Sequence, residues 1–210
     1  MLIQGQSGPS GVLAAGSPAT VRTLADSTVG VADCHARYQE AVYRGNVYSV
    51  ADTVGHVQPA GLSASPLCVS LYNPVGSNVQ AVIWLANAVA LVAWAAASAV
   101  SIATFASATA TTGTALPAVN NKTGSSGGSV VRPLTTATLA AAPAASLWLL
   151  GAGLTGAITV ETAAKVIGGW IDGAVVLQPG MTAVIVTSTA SGTAGLWCSW
   201  IWEEIALNFG

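Results

Sequence analysis

Short apolar runs separated by clusters of Gly, Pro, Ser and Asn recur along residues 38–210, and none of them carries the 3.6-residue repeat of an amphipathic helix. Runs and turns of this kind predict strands. Residues 41–52 (AVYRGNVYSVAD) predict a first strand with Gly45 at a bulge or turn. The run at 66–71 is followed by Asn73-Pro74, by Gly76-Ser77-Asn78 and then by apolar residues from Val79, which reads as a hairpin. Residues 174–186 read as strand, turn, strand, because Gln178-Pro179-Gly180 has Pro and Gly in the order of a type II turn. A further turn at Ser191-Gly192 leads into the last run, 196–205 (LWCSWIWEEI), where Trp197, Trp200 and Trp202 need acceptors for their indole N–H groups wherever they are buried. The polar stretch 111–133 predicts a projecting loop, and deletion of 113–130 is expected to leave assembly intact.

Residues 79–107 admit two readings. At VQAVIWLANAVALVAWAAASAVSIATFAS the apolar stretch exceeds the roughly 20 residues that a spanning helix needs. No Lys or Arg lies within 14 residues of either end, however, so the usual basic anchor is missing. Val79, Ala81, Ile83, Leu85, Val89 and Leu91 alternate as a strand would, but Val82, Trp84 and Val92 weaken the alternation. Ser98, Ser101, Thr104, Ser107 and Thr109 favour strand over helix, and the flanking turns favour it too. Strands in contact with protein are therefore expected here, with no membrane span.

Composition explains why lipid had to be considered. Only 7% of the 210 residues are charged, against about 25% in an ordinary soluble domain. Between Asp52 and Lys122 there are 69 residues without one Asp, Glu, Lys or Arg. A surface so poor in charge must be hidden against lipid or against other protein. The six basic residues (Arg22, Arg37, Arg44, Lys122, Arg132 and Lys165) and a net charge of −2 exclude a phosphate-tracking surface, so no nucleic-acid partner is expected. The first residues have neither the basic nor the apolar part of a secretory signal. Cys34, Cys68 and Cys198 are odd in number and widely spaced, which predicts no disulfide framework and fits synthesis in a reducing cytoplasm.

The length suits a single core with an appendage. Residues 1–37, rich in Gly, Ser, Pro and Ala, read as an extended N-terminal arm, and 38–210 as one domain. The fold class expected is all-β, an antiparallel β-sandwich, with the eight-stranded jelly roll as its specific form.

Motifs for chemistry are weak. Gly124-Ser125-Ser126-Gly127-Gly128 matches GxSxG, but a nucleophile elbow needs a strand before it, a helix after it and a His later in the chain, whereas His35 and His56 both precede it. Asp33-Cys34-His35 are consecutive and point in alternating directions on extended chain, which does not close on one ion. Glu203 and Glu204 face opposite sides of a strand and read as a solvated strand end. Asn121-Lys122-Thr123 is a sequon without meaning in a chain made in a reducing cytoplasm, and the dispersed Trp84, Trp94, Trp148 and Trp170 outline no sugar site. No catalytic, cofactor-binding or metal-binding residue is assigned, no cofactor is expected, and the chain does not read as an enzyme.

Tyr43-Arg44-Gly45, the hairpin-like LYNPVGS of residues 71–77, the turn Leu177-Gln178-Pro179-Gly180 and the final Trp202-Glu203-Glu204 occur in an order that resembles jelly-roll structural proteins of tailed bacteriophages. The likeness spans residues 38–207 and includes capsid cement or decoration proteins. It implies a homotrimer on the capsid exterior that bridges subunits of the major capsid protein. A trimeric tail or head-fibre receptor-binding domain shares that fold and symmetry. An integral membrane protein is the remaining alternative.

Overall fold

The computed structural model describes residues 4–6, 18–20, 38–90, 96–106, 111–153, 165–191 and 195–207. The chain divides into two units, Met1–Gln39 and Glu40–Gly210. In the first, β1 (Gln4–Gln6) and β2 (Pro18–Thr20) pair antiparallel. The rest of the expected arm, with Asp33, Cys34 and His35, lies outside the described residues.

A short helix, α1 (Gln39–Arg44), leads into the strands of the second unit. Residues 41–44 were expected in the first strand; they are helical, and Gly45 ends the helix with φ 79° and its N–H on the Val42 carbonyl at 2.9 Å. A helix of six residues is too short to leave a periodic trace in sequence. The strands that follow are β3 (Val47–Ala51), β4 (Ser70–Tyr72), β5 (Val79–Ala90), β6 (Ser98–Ala106), β7 (Thr112–Ala115) and β8 (Val119–Asn120). After them come β9 (Arg132–Thr138), β10 (Ser146–Gly153), β11 (Lys165–Leu177), β12 (Met181–Thr187) and β13 (Leu196–Ala206).

These strands form two antiparallel sheets, one in the order β10-β6-β12-β4-β9-β7 and the other β11-β5-β13-β3-β8. The expected all-β sandwich is what is observed. Pairing is nested: β3 lies beside β13, β4 beside β12, β5 beside β11 and β6 beside β10. Successive pairs alternate between the two sheets. One core fills the space between them, with Ile83, Ala86, Ile167, Leu177, Trp200 and Trp202 from one sheet and Leu71, Val100, Ile102, Ala183 and Ile185 from the other. The Trp200 indole N–H donates to the Val69 carbonyl at 2.8 Å, and Trp202 stacks on Tyr48 with ring centroids 6.1 Å apart.

β5 and β6 occupy most of the stretch that hydropathy reads as a membrane helix. Among the described residues no helix is long and apolar enough to cross a membrane. The imperfect alternation of β5 has a local cause. Leu85 pairs with Ile201 and Ile83 with Trp202, so Trp84 is an extra residue, and the inward positions change from Ala81 and Ile83 to Ala86 and Ala88. β11 is irregular at the same level, with Asp172 and Gly173 at φ 54° and 82°.

The turn read as a hairpin is a corner instead, and the strand-turn-strand of 174–186 forms as expected but also turns a corner. β4 and β5 lie in different sheets, and so do β11 and β12. The expected type II turn does form: Met181 N–H donates to the Gln178 carbonyl at 3.1 Å, with Gly180 at φ 85°. Asn73 ties the corners together. Its buried side-chain amide donates to the carbonyls of Val79 (2.8 Å) and Leu177 (3.0 Å), while its backbone pairs with Met181 and Gly180. Asn73→Ala would leave both carbonyls without that donor, and we expect a loss of about 2–4 kcal/mol in urea unfolding, with the m-value unchanged.

The polar insertion is also more than a tip. β7 extends the six-stranded sheet beyond β9, and β8 extends the five-stranded sheet beyond β3. At its far end Ser129, Val130 and Val131 hold the carboxylate of Glu204, and Gly128 accepts from the Tyr48 hydroxyl at 3.2 Å. Deleting 113–130 would remove most of two edge strands and part of this anchorage, so the segment is not only a solvated loop. Residues 112–115, 117, 119, 122–128 and 130 are exposed.

Candidate interaction surface

Position along a strand decides which face a side chain takes, and in β13 the inward parity is 196, 198, 200, 202 and 204. Trp197, Ser199, Ile201 and Glu203 therefore face outward. Register then places their neighbours. Trp197 lies beside Val89, and Val89 beside Val166; Ile201 lies beside Leu85, and Leu85 beside Trp170; Glu203 lies beside Val82, and Val82 beside Val176. Between the first two rows run Ser199, Asn87 and Gly168. Gly168 has no room for a side chain, because a Cβ would sit 2.2 Å from the Ala86 carbonyl oxygen.

Three cross-strand rows thus hold eight apolar residues and one charge on the outer face of the sheet. An antiparallel sheet with one face in water normally alternates apolar inside with polar outside. Here Trp170 is 54% exposed and Val166 60%. At the neighbouring edge of the sandwich Gly151 of β10 faces the buried Ile167 of β11, and Leu147, Trp148 and Leu149, Leu149 by 69%, are exposed on the side of the six-stranded sheet. Among the described residues β10 and β11 each bond to a single neighbouring strand.

Glu203 closes one end of the face. Burial holds its carboxyl above the usual carboxylate range, and the charge of Arg44 partly opposes this. The folded chain therefore keeps this proton to a higher pH than the unfolded chain. Its contribution to stability is fully present below the unfolded carboxyl value and is lost as pH rises through the folded one. Glu203→Gln is expected to raise the melting temperature at pH 7 and to leave it unchanged at pH 3, as read by circular dichroism.

A groove of about 570 Å³ opens on the outer side of the six-stranded sheet, lined by Leu62, Ala99, Ser101, Trp148, Val186 and Ser188 among others. Its hydroxyls are already engaged: Ser101 donates to Ser146 Oγ at 2.9 Å, and Ser188 Oγ accepts from the Ala99 N–H at 2.9 Å. What it offers is apolar contact rather than polar recognition.

The residues considered for chemistry fall apart or inward. Gly124–Gly128 is an exposed loop followed by β9, not by a helix. Glu203 and Glu204 do face opposite sides, but Glu204 is buried rather than solvated. Trp200 and Trp202 are wholly buried and Trp197 is partly so. Trp94 lies outside the described residues. Asp52 and His56 come within 2.8 Å of each other, a pairing that sequence reading did not anticipate. The Asp52 N–H donates to the Cys198 carbonyl. The Cys198 thiol is raised well above its ordinary value by its hydrogen bond to Cys68 and by burial, so it supplies no thiolate nucleophile to that pair. Among the described residues no group of three or more His, Cys, Asp or Glu could hold a metal ion. Gln58, also unforeseen, is buried and pins the loop before β4: its amide donates to the Ile185 carbonyl at 2.9 Å and accepts from the Leu67 and Cys68 N–H groups.

Compared with known protein families, with curated proteins and with solved structures, the chain matches none.

Proposed function

We propose that this protein is a non-enzymatic structural subunit of a tailed-phage virion, a capsid cement or decoration protein that acts as a homotrimer on the capsid exterior and bridges major capsid subunits. The observation that carries the reading is the outer sheet face, on which three cross-strand rows hold eight apolar residues and one charge. A protein that works by covering area needs such faces and few charges.

The nested pairing supports the specific fold. First with last, second with second-last, and so inward, in alternate sheets, is the order in which eight strands wrap as a jelly roll, with β3-β13-β5-β11 as one four-stranded set and β4-β12-β6-β10 as the other. β7, β8 and β9 are then an insertion between the fourth and fifth strands of the roll. The resemblance in the Tyr43-Arg44-Gly45, 71–77, 177–180 and 202–204 segments supplies the virion context.

Purified particles test the proposal through copy number. A cement protein is expected in hundreds of copies per particle by quantitative mass spectrometry, and capsids stripped of it should take it up again. A few tens of copies, located at the tail or at a fibre, would replace this reading with a receptor-binding head. A chain recovered only in detergent would favour the membrane reading.

A further inference from the structure

We infer that Cys68 and Cys198 are a dithiol that closes to a disulfide once the chain meets an oxidising compartment, and that the bond staples one sheet of the sandwich to the other. The inference stands on the core and does not depend on the virion reading. Both cysteines are free and buried, 1% and 3% exposed, and the Cys198 thiol is hydrogen-bonded to Cys68. Wide spacing along the chain predicts no disulfide framework, but it does not show that β13 and the segment before β4 meet.

The meeting is built by the two sheets. Cys198 has the inward parity of β13, and Cys68 lies just before β4, which belongs to the facing sheet. Beside them the Trp200 indole N–H reaches the Val69 carbonyl at 2.8 Å, a contact that already crosses the core. Both backbones are tied, so neither sulfur can easily retreat. The Cys68 N–H donates to Gln58 Oε1 at 3.2 Å, and its carbonyl accepts from the Ser70 hydroxyl at 3.4 Å. Cys198 pairs with Ala88 of β5, and its carbonyl accepts from the Asp52 N–H at 2.9 Å. Cysteines that served only as small apolar fillers would have no need to face each other. Held in contact from fixed backbones, the two need little movement to reach disulfide geometry.

The reaction is thiol–disulfide exchange with a small disulfide of the oxidising compartment. Cys68 lies outside any strand, in a segment that opens at lower cost than β13, which is held between β5 and β3. The hydrogen bond to Cys68 and burial also keep the Cys198 thiol protonated. Cys68 therefore reacts first. It gives its proton to water, its sulfur breaks the S–S bond of the small disulfide, and a mixed disulfide forms as one small thiol leaves. Cys198 then loses its proton and attacks the Cys68 sulfur; the S–S bond between the two forms and a second small thiol leaves. Two protein thiols are oxidised to one disulfide, and one small disulfide is reduced to two thiols. A reducing cytoplasm drives the exchange the other way, so the chain folds with both thiols free and gains the staple on leaving. The loop it closes runs from residue 68 to residue 198, and long loops are where a cross-link restricts the unfolded chain most.

The test uses the full chain carrying Cys34→Ser, which leaves this one pair. The protein is purified under dithiothreitol and then held in glutathione disulfide without denaturant. Digestion is expected to give a peptide pair joined through Cys68 and Cys198, with no glutathione left on either. The melting temperature should rise by roughly 5–15 °C and return to its starting value in dithiothreitol. A bond that stabilises the fold is favoured by the fold in equal measure, so the glutathione equilibrium should favour closure about tenfold or more over that of the same chain in urea. Cys68→Ala should show neither the linked peptides nor the rise, and a rise in that variant would overturn the inference. Should Cys68→Ala fail to fold, the linked peptides and the glutathione equilibrium of the intact pair decide. Two thiols that both take iodoacetamide on unfolding after the exposure, a glutathione adduct that never resolves, or a linked chain that melts no higher than the reduced one would each overturn it.

Discussion

Trp200→Asp is expected to yield no folded protein. The side chain is wholly buried, it sits in the middle of β13 between β3 and β5, and its indole N–H reaches across the core to the Val69 carbonyl at 2.8 Å. Removing a buried Trp side chain costs about 3–5 kcal/mol in lost contacts and cavity. A carboxylate placed there adds an unpaired buried charge, and the Val69 carbonyl loses its donor. Together these exceed much of the roughly 5–15 kcal/mol that holds a domain of this kind together. We expect insoluble protein, or a chain without a near-ultraviolet tryptophan signal. Trp200→Phe should fold and unfold at lower urea, having kept most of the ring and lost the hydrogen bond. Trp170→Asp, on the outer face, should fold as well. If Trp200→Asp were soluble with a native spectrum, the inward parity of β13 would be wrong, and with it the assignment of its outer face.

That parity was partly legible beforehand. The need of Trp200 and Trp202 for acceptors follows from indole chemistry, and the type II turn at 178–181 follows from Pro before Gly. The charge-free stretch after Asp52 reads as strands once its turns are weighed against its missing basic anchors. Topology was not legible in the same way. The residues around Asn73 and those around Gly180 make good turns, but turn chemistry does not say whether the next strand returns beside the last or crosses to the facing sheet. That choice is made by partners far along the chain: β4 pairs with β12, and β5 lies between β11 and β13. Trp84 hid the alternation of β5, because one inserted residue exchanges inward for outward positions.

The outer face could not have been seen in any single segment. Trp170 and Trp197 are far apart in sequence and come to one surface only through β5, which pairs with both their strands. Its signature in the sequence was indirect: β5 is apolar at both parities, as a strand covered on both sides would be. The low charge content is the same fact read as composition.

Glu204→Ala should show how much of the fold depends on one carboxylate. Glu204 shares the inward parity of Trp200 and Trp202, so its place was deducible, but three of its four partners lie more than 70 residues upstream and nothing near it in sequence announces them. Oε1 accepts from the Ser129 hydroxyl, from the N–H groups of Val130 at 3.1 Å and Val131 at 3.0 Å, and from the Trp202 indole N–H at 3.3 Å. Four donors around one carboxylate replace the water it gave up on burial. Truncation to Ala strands three of them, two being backbone groups that cannot turn away, while the Ser129 hydroxyl keeps the Val131 carbonyl at 2.7 Å. A loss of about 3–5 kcal/mol is expected. It should release residues 121–131 first, seen as faster hydrogen exchange there and at the Tyr48 contact to Gly128 before global unfolding. Glu204→Gln keeps one carbonyl oxygen for these donors but turns an amide toward the Val130 N–H, so it should fall between the natural chain and Glu204→Ala. If Glu204→Ala unfolds at the same urea concentration as the natural chain, the carboxylate does not anchor the insertion.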